Sequence, residues 1–414
     1  MEEAWSPSGG APRWAKWLAV FWGLALLMLV MPTFCCAGEG LFLFSGLVLG
    51  GLCGGGLFWH GIRALNGKPS RPLRMPAIWI LAGTWVLSLT TALGLTAAGR
   101  VGEFVASPFV TLAAILPPLI AVALALNHRP EGVTWRRGLA AFAAGASVST
   151  LLALILEVLV PYFVLWGILD WGEPIRRALE EFTALLAGRE VARALTRPFF
   201  LVAMADYAVA APVIEEFAKS LVVLPLLRRV SRRDAFLLGA AAGAGFAFLE
   251  NMVYVVFGEP DWGGILVTRA LGAAVHPLGT GLMALAWQAL LRGEAPHRWV
   301  RWAGAAIAQH GVWNGGILLW SALSGTSFLG IIQETRVVGM EVAAGLLALL
   351  AVAGAAAAWS LRTLSRYLAG REEVTLSLSL PEVPTERAVA LWAVVSLIVL
   401  LPLGLALLKD LWGK

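Results

Sequence analysis

Long apolar runs separated by short polar segments dominate the chain. A helical crossing of a bilayer needs about 20 apolar residues, and many runs reach that length. Backbone polar groups in lipid must be satisfied within the segment, so each run is predicted to be an α-helix. The pattern therefore predicts an all-α, polytopic transmembrane helical bundle of about eleven spans. We place them near residues 17–36, 41–59, 76–98, 105–126, 138–167, 198–227, 235–257, 265–291, 302–323, 337–361 and 388–408.

The composition agrees with a chain whose solvent is largely lipid. Hydrophobic residues make up 59% of it and charged residues 14%, against about 45–50% and about 25% in soluble domains. This composition argues against a soluble enzyme, a nucleic-acid binder, a disordered scaffold and a disulfide-stapled secreted domain. The three cysteines lie in or beside the first two apolar runs, without zinc-type spacing or a disulfide framework.

The positive charges predict an orientation. Most of the 31 Lys and Arg residues fall in alternate loops, and the positive-inside rule assigns those loops, with the N-terminus, to the cytoplasm. We therefore expect a multi-pass protein of the inner (plasma) membrane. Its predicted regions are an N-terminal transmembrane region of about five spans (1–167), an extracytoplasmic amphipathic loop (168–197), a four-helix catalytic core (198–323) and a C-terminal region of two spans (324–414).

Ionisable residues inside the predicted spans are unevenly distributed. Each such charge costs about 2.5–3.5 kcal/mol on insertion scales, yet most of them lie in the four consecutive spans between residues 198 and 323. Those near the span centres lie within roughly 6 Å of one plane, at 1.5 Å rise per residue. This depth predicts one shared polar pocket. Its predicted members are Glu215, Glu216, Glu250, His276 and His310.

Helical spacing adds neighbours to this pocket. Lys219 follows Glu215 by four residues and Glu216 by three, so its ammonium can compensate one carboxylate. Asn314 follows His310 by four residues, so both side chains can face one ligand. Supporting residues are expected at Lys219, Phe246, Asn251 and Arg269.

In their order along the chain, these motifs resemble the PrsW family of intramembrane proteases, which is related to the type II CAAX prenyl endopeptidases. The resemblance covers about residues 200–320 and rests on Glu-Glu-x-x-Lys from Glu215, Phe-x-x-x-Glu ending at Glu250, His276, and His-x-x-x-Asn from His310. The prenyl endopeptidases have histidine where this chain has Glu250. The resemblance implies hydrolysis of a peptide bond in a membrane protein, such as an anti-sigma factor in stress signalling.

Two mechanisms remain open on the sequence. In the slightly favoured metal-free version, Glu215 is the general base on water, helped by Glu250 or His276, while His310 and Asn314 stabilise the oxyanion. Glu216 and Lys219 then balance the charge.

In the second version a Zn²⁺ ion is held by Glu215, Glu250, His276 and His310, with a water in its open position. The metalloprotease character of the family points to this version, although the chain contains no HExxH motif.

Other functional classes are alternatives. A proton-coupled transporter also uses acids and histidines in mid-membrane as a relay, but it is expected to contain inverted repeats, and none is visible. A catalytically inactive membrane scaffold would keep the helices without the chemistry. The expected partners are a membrane protein or peptide substrate and the lipid bilayer, with no nucleic acid.

Overall fold

The computed structural model describes residues 47–97, 100–126, 132–161, 203–227, 230–257, 262–324 and 340–372, besides positions 17, 20, 21, 23, 24 and 177. Within these ranges all regular secondary structure is helical, apart from one isolated bridge between Pro72 and Thr134. The predicted all-α class is confirmed. The predicted span 388–408 lies outside the described residues, as do nearly all of span 17–36 and of the 168–197 loop.

We number the described α-helices in chain order. The first five are α1 (Gly55–Leu65), α2 (Ile78–Thr96), α3 (Arg100–Leu126), α4 (Trp135–Ala144) and α5 (Thr150–Pro161). The others are α6 (Ala211–Leu221), α7 (Leu224–Leu227), α8 (Arg232–Phe257), α9 (Trp262–Leu271), α10 (Val275–Leu291), α11 (Pro296–Ser324) and α12 (Met340–Glu372). Short π-helical segments precede α1 and α6 and join α4 to α5.

Several of these helices can span a membrane by length and composition. Among the described residues five do so, and the pair α9 and α10, bent by 42° at its break, makes a sixth if it is a single span. The chain is therefore a multi-pass helical membrane protein. The five helical stretches are Ile78–Thr96, Val105–Leu126, Trp135–Glu157, Arg232–Val255 and Ala343–Gly370.

Helix α8 lies at the centre of the bundle. The apolar window of this span is 83% buried, whereas those of α2 and α12 are 22% buried and form part of the outer surface. Small residues allow the central helices to approach closely. A Cβ on Gly245 of α8 would overlap the carbonyl oxygen of Phe142 in α4, so this contact requires glycine.

Polar loops gather at one end of the bundle. The Arg136 guanidinium donates to the Lys68 carbonyl in the loop after α1, at 2.9 Å. Arg233, in the first turn of α8, donates to the last carbonyl of α3 at 3.2 Å, and Arg292 donates to the Val230 carbonyl at 2.8 Å. These hydrogen bonds join the loops that follow α1, α3, α7 and α10.

Candidate active site

The five predicted acids and imidazoles meet in one buried cluster. Helix α6 contributes Glu215 and Glu216, α8 contributes Glu250, α10 contributes His276 and α11 contributes His310. All except Glu250 are at most 6% exposed. Residues up to 95 positions apart in sequence therefore share one polar interior.

The ammonium of Lys219 lies in the middle of this cluster. Its Nζ is 2.7 Å from Glu215 Oε2, 3.0 Å from Glu216 Oε1 and 2.7 Å from His276 Nδ1. It also lies 4.3 Å from the centre of the Phe246 ring, in a cation–π arrangement. The side chain is fully buried, so one cation inside the protein compensates two buried carboxylates.

The shorter contacts of His276 favour one tautomer. Its Nδ1 lies 2.7 Å from the Lys219 ammonium, which has only donors, so in this tautomer Nδ1 accepts and the ring proton sits on Nε2. Nε2 then donates to Glu250 Oε2 at 2.9 Å, while the Arg269 guanidinium, also a donor, lies farther away at 3.2 Å. His276 therefore turns its Nδ1 lone pair towards Lys219 and Glu215, with Glu250 on its outer side.

A polar chain fixes Glu250 in turn. The Arg269 guanidinium forms an ion pair with Glu250 Oε2 and donates from Nε to Asn251 Oδ1 at 2.6 Å. Asn251 donates from Nδ2 to the Ala114 carbonyl of α3 at 2.9 Å. The orientation of His276 thus depends on contacts that extend to a helix outside the predicted catalytic core.

His310 has a carboxylate on its outer side as well. Its Nδ1 lies 2.9 Å from Glu216 Oε1, and its Nε2 lies 3.6 Å from Glu215 Oε2. Neither ring nitrogen is aligned for a hydrogen bond, although both are buried. Thr280, one turn after His276, donates to the other Glu216 oxygen at 3.3 Å.

Three atoms on the inner side of the cluster face one another. They are Glu215 Oε2, His276 Nδ1 and His310 Nε2, and we call them the ligand triangle. The glutamate oxygen is 3.9 Å from the first nitrogen and 3.6 Å from the second. Among the described residues, Glu215, His276 and His310 form a group with the spacing of a metal site: one ligand atom from each lies within 4.8 Å of the other two. A tetrahedral zinc site with bonds of about 2.0–2.1 Å has ligand atoms about 3.3 Å apart, so a small inward movement would bring the triangle to that size.

The break between α9 and α10 places two of these side chains. Pro277 lies in the first turn of α10, where its missing N–H is tolerated, but its ring would clash with the carbonyl of an uninterrupted preceding helix. The resulting 42° bend lets Arg269, at the end of α9, and His276, at the start of α10, both contact Glu250.

Glycine at position 279 brings α10 close to α6. A Cβ there would lie 2.9 Å from the Glu216 carboxyl carbon and 2.7 Å from Gln309 Nε2. A larger residue would therefore displace the side chains of Glu216 and Gln309.

Two residues change the sequence-based description of the site. Asn314 lies one turn after His310, but it makes no hydrogen bond or ion pair within the described part of the chain. Its oxyanion role stays a prediction. Thr280 was not predicted, although a hydroxyl four residues after His276 is a signal that helical spacing could have given.

Comparison with known proteins assigns the chain to a family. A sequence profile described as PrsW family intramembrane metalloprotease matches residues 133–352. That range contains the whole ligand triangle, together with Lys219 and Glu250. No match was found among curated proteins or among solved structures. The matched range is more than half of the chain, and the assignment predicted from the motifs is confirmed: the chain belongs to the PrsW family of intramembrane metalloproteases.

Proposed function

We propose that this protease hydrolyses a peptide bond of a membrane-spanning protein at the ligand triangle, with a divalent metal ion held by Glu215, His276 and His310. The observation that carries the proposal is the convergence of three buried inner atoms from three helices, with a carboxylate behind each imidazole. We propose zinc because imidazole nitrogens and carboxylate oxygens are among its usual ligands.

The hydrogen bonding of the cluster supports a metal. Buried polar atoms in proteins are nearly always hydrogen-bonded, but His310 Nε2 has no hydrogen-bond partner and lies 3.6 Å from Glu215 Oε2. A ring nitrogen and a carboxylate oxygen at this distance can both bind one cation placed between them. A bound zinc would polarise the scissile carbonyl and make a water molecule nucleophilic near neutral pH.

The outer carboxylates orient the histidines in this proposal. Glu250 holds His276 with Nδ1 inward, and Glu216 lies behind His310 so that Nε2 faces inward. Carboxylates on the far nitrogen of a metal-binding histidine are a common outer-shell arrangement. Glu216 and Glu250 therefore act as positioning residues rather than as proton carriers.

Glu215 is one corner of the ligand triangle and faces the proposed reacting centre. Its second carboxylate oxygen can accept the proton of the attacking water and return it to the leaving amine. The Asn314 amide, one turn from His310, can donate a hydrogen bond to the developing oxyanion. The metal-free alternative assigns Glu215 the same role as base, helped by Glu250 or His276.

Zinc binding separates the two versions. We expect the purified full-length protein to bind one zinc ion, and His310→Ala to weaken that binding by about 100-fold or more, because a ligand is lost. His297→Ala is the matched control, since His297 is an exposed histidine on the same helix. The measurement is zinc titration against a chromophoric chelator, followed by cleavage of a membrane-spanning substrate. Full activity in chelator-treated, zinc-free protein would refute the metal version.

A second substitution tests the outer side of His276. Arg269→Lys keeps the charge but cannot reach Glu250 and Asn251 together, so we expect zinc affinity or activity to fall about 10–100-fold. Arg301→Lys is the control, because Arg301 is exposed and lies over Trp302. The same zinc titration and cleavage assay report the effect. Wild-type zinc affinity and activity in Arg269→Lys would show that this arginine does not position His276.

The proposed topology has about eleven spans, with the N-terminus in the cytoplasm of a cell and the protein in its inner (plasma) membrane. The loops that meet at one end of the described bundle, after α1, α3, α7 and α10, are loops that the positive-inside rule assigns to the cytoplasm. This agreement supports the orientation. The substrate is proposed to be a membrane protein resembling an anti-sigma factor.

A further inference from the structure

Lys219 occupies the position that a metal ion would need. We propose that its ammonium is a built-in placeholder for the metal: it holds Glu215 and His276 in ligand geometry without metal, and it must withdraw when metal binds. This inference rests on the metal site proposed above and assigns Lys219 as a positioning residue that lowers metal affinity.

The distances make the two cations mutually exclusive. Nζ lies 2.7 Å from both Glu215 Oε2 and His276 Nδ1, which are 3.9 Å apart. A zinc ion bonded to both atoms at about 2.0–2.1 Å would therefore lie within about 2.5 Å of Nζ. That separation leaves no room for an ammonium and its hydrogens, so either the lysine or the metal can occupy the triangle.

The cluster also offers the lysine a second place to bind. Nζ is 3.0 Å from Glu216 Oε1 and lies over the Phe246 ring. An ammonium that leaves Glu215 and His276 can stay paired with Glu216 and retain its cation–π contact. The side chain therefore need not become an unpaired buried charge when the metal enters.

In the metal-free protein, Lys219 keeps the two carboxylates charged and the His276 ring in the orientation that metal binding requires. Its positive charge compensates Glu215 and Glu216, and its donors keep the Nδ1 lone pair of His276 inward. Removing the charge should then have opposite effects on the two forms. The metal-free protein loses its internal cation, whereas the metal-bound protein loses a competitor and a like charge.

The test is Lys219→Met in the full-length protein. We expect its zinc dissociation constant to fall by at least about 10-fold, because competition and repulsion are removed. We also expect a lower thermal midpoint in chelator and a larger upward shift on zinc addition. If Lys219 had only a structural role, its substitution would lower the zinc affinity or leave it unchanged. Lys68→Met removes an exposed lysine and is expected to change neither quantity.

Two further variants keep the test decisive. Lys219→Arg retains a charge and should not gain zinc affinity.

If Lys219→Met does not fold, the double variant Lys219→Met, Glu216→Gln removes both members of a buried ion pair. Its zinc affinity is then compared with that of Glu216→Gln alone. The placeholder role is refuted if the variant without Lys219 binds zinc no more tightly than the matching protein that retains it, provided that this matching protein binds zinc. Failure of the wild-type protein to bind zinc would instead refute the metal site of the proposed function, and the placeholder with it.

Discussion

Glu215→Gln is expected to lower kcat/KM for peptide hydrolysis by about 10³-fold or more, the loss expected when a general base is removed at a reacting centre. Glutamine has the same shape, so packing of the buried site is retained. The negative charge that pairs with Lys219 at 2.7 Å is lost, as is one corner of the ligand triangle. Both versions of the mechanism therefore need this carboxylate.

The assay should use protein reconstituted in lipid with a membrane-spanning substrate, and should record initial rates. Glu341→Gln is the matched control, because Glu341 is an exposed acid in the first turn of α12. It should leave the rate unchanged. A Glu215→Gln protein that cleaves at the wild-type rate would remove the support for hydrolysis at this cluster, whatever the metal content.

Contacts within one helix could be predicted from the sequence. The spacing of Glu215 and Lys219 gives a 2.7 Å ion pair because residues four apart lie on the same face of an α-helix. The common depth of the acids and imidazoles was informative for a related reason. A charge that cannot reach the interface is stabilised only by other polar groups at its own level in the membrane.

The rotation of each helix about its axis could not be predicted. Depth alone made Glu250 equivalent to Glu215 as a ligand, but packing places Glu250 behind His276. That arrangement depends on the break before Pro277 and on the close approach of α8 to α10 at Gly243, where a Cβ would overlap the His276 carbonyl oxygen. The same limit applies to Asn314, because spacing shows which face it shares with His310 but not what that face contacts.

The break in the span that contains Arg269 and His276 was harder to predict than the span itself. The run 265–291 is predicted as one span, opened locally at Pro277, and the structure has two helices, α9 and α10, with a bend of 42° between them. Apolar content cannot reveal this break because both halves are apolar, while the local chemistry of Gly272 and Pro277 decides it. The bend is also what brings Arg269 and His276 to the same carboxylate.

Gly245→Ala is expected to destabilise the folded bundle by about 3 kcal/mol, at the upper end of the usual cost of overpacking. The added methyl group would overlap the carbonyl oxygen of Phe142, which is helix backbone and cannot rotate away as a side chain can. Gly145 is in a reciprocal position, since a Cβ there would overlap the carbonyl oxygen of Ala242. The central helix would have to move away from α4.

This movement should also reach the active site, because the residue after Gly245 is Phe246, which packs against Lys219, and Glu250 follows on the same helix. We therefore expect Gly245→Ala to lower the unfolding midpoint in a denaturing-detergent titration and to reduce activity in the fraction that remains folded. Gly304→Ala on α11 is the control: nothing lies within 4 Å of its added Cβ, and alanine favours helix over glycine by about 1 kcal/mol. Its midpoint should stay the same or rise. Equal midpoints for the two variants would mean that α8 and α4 do not approach each other as closely as described, and the position of Glu250 behind His276 would lose its structural basis.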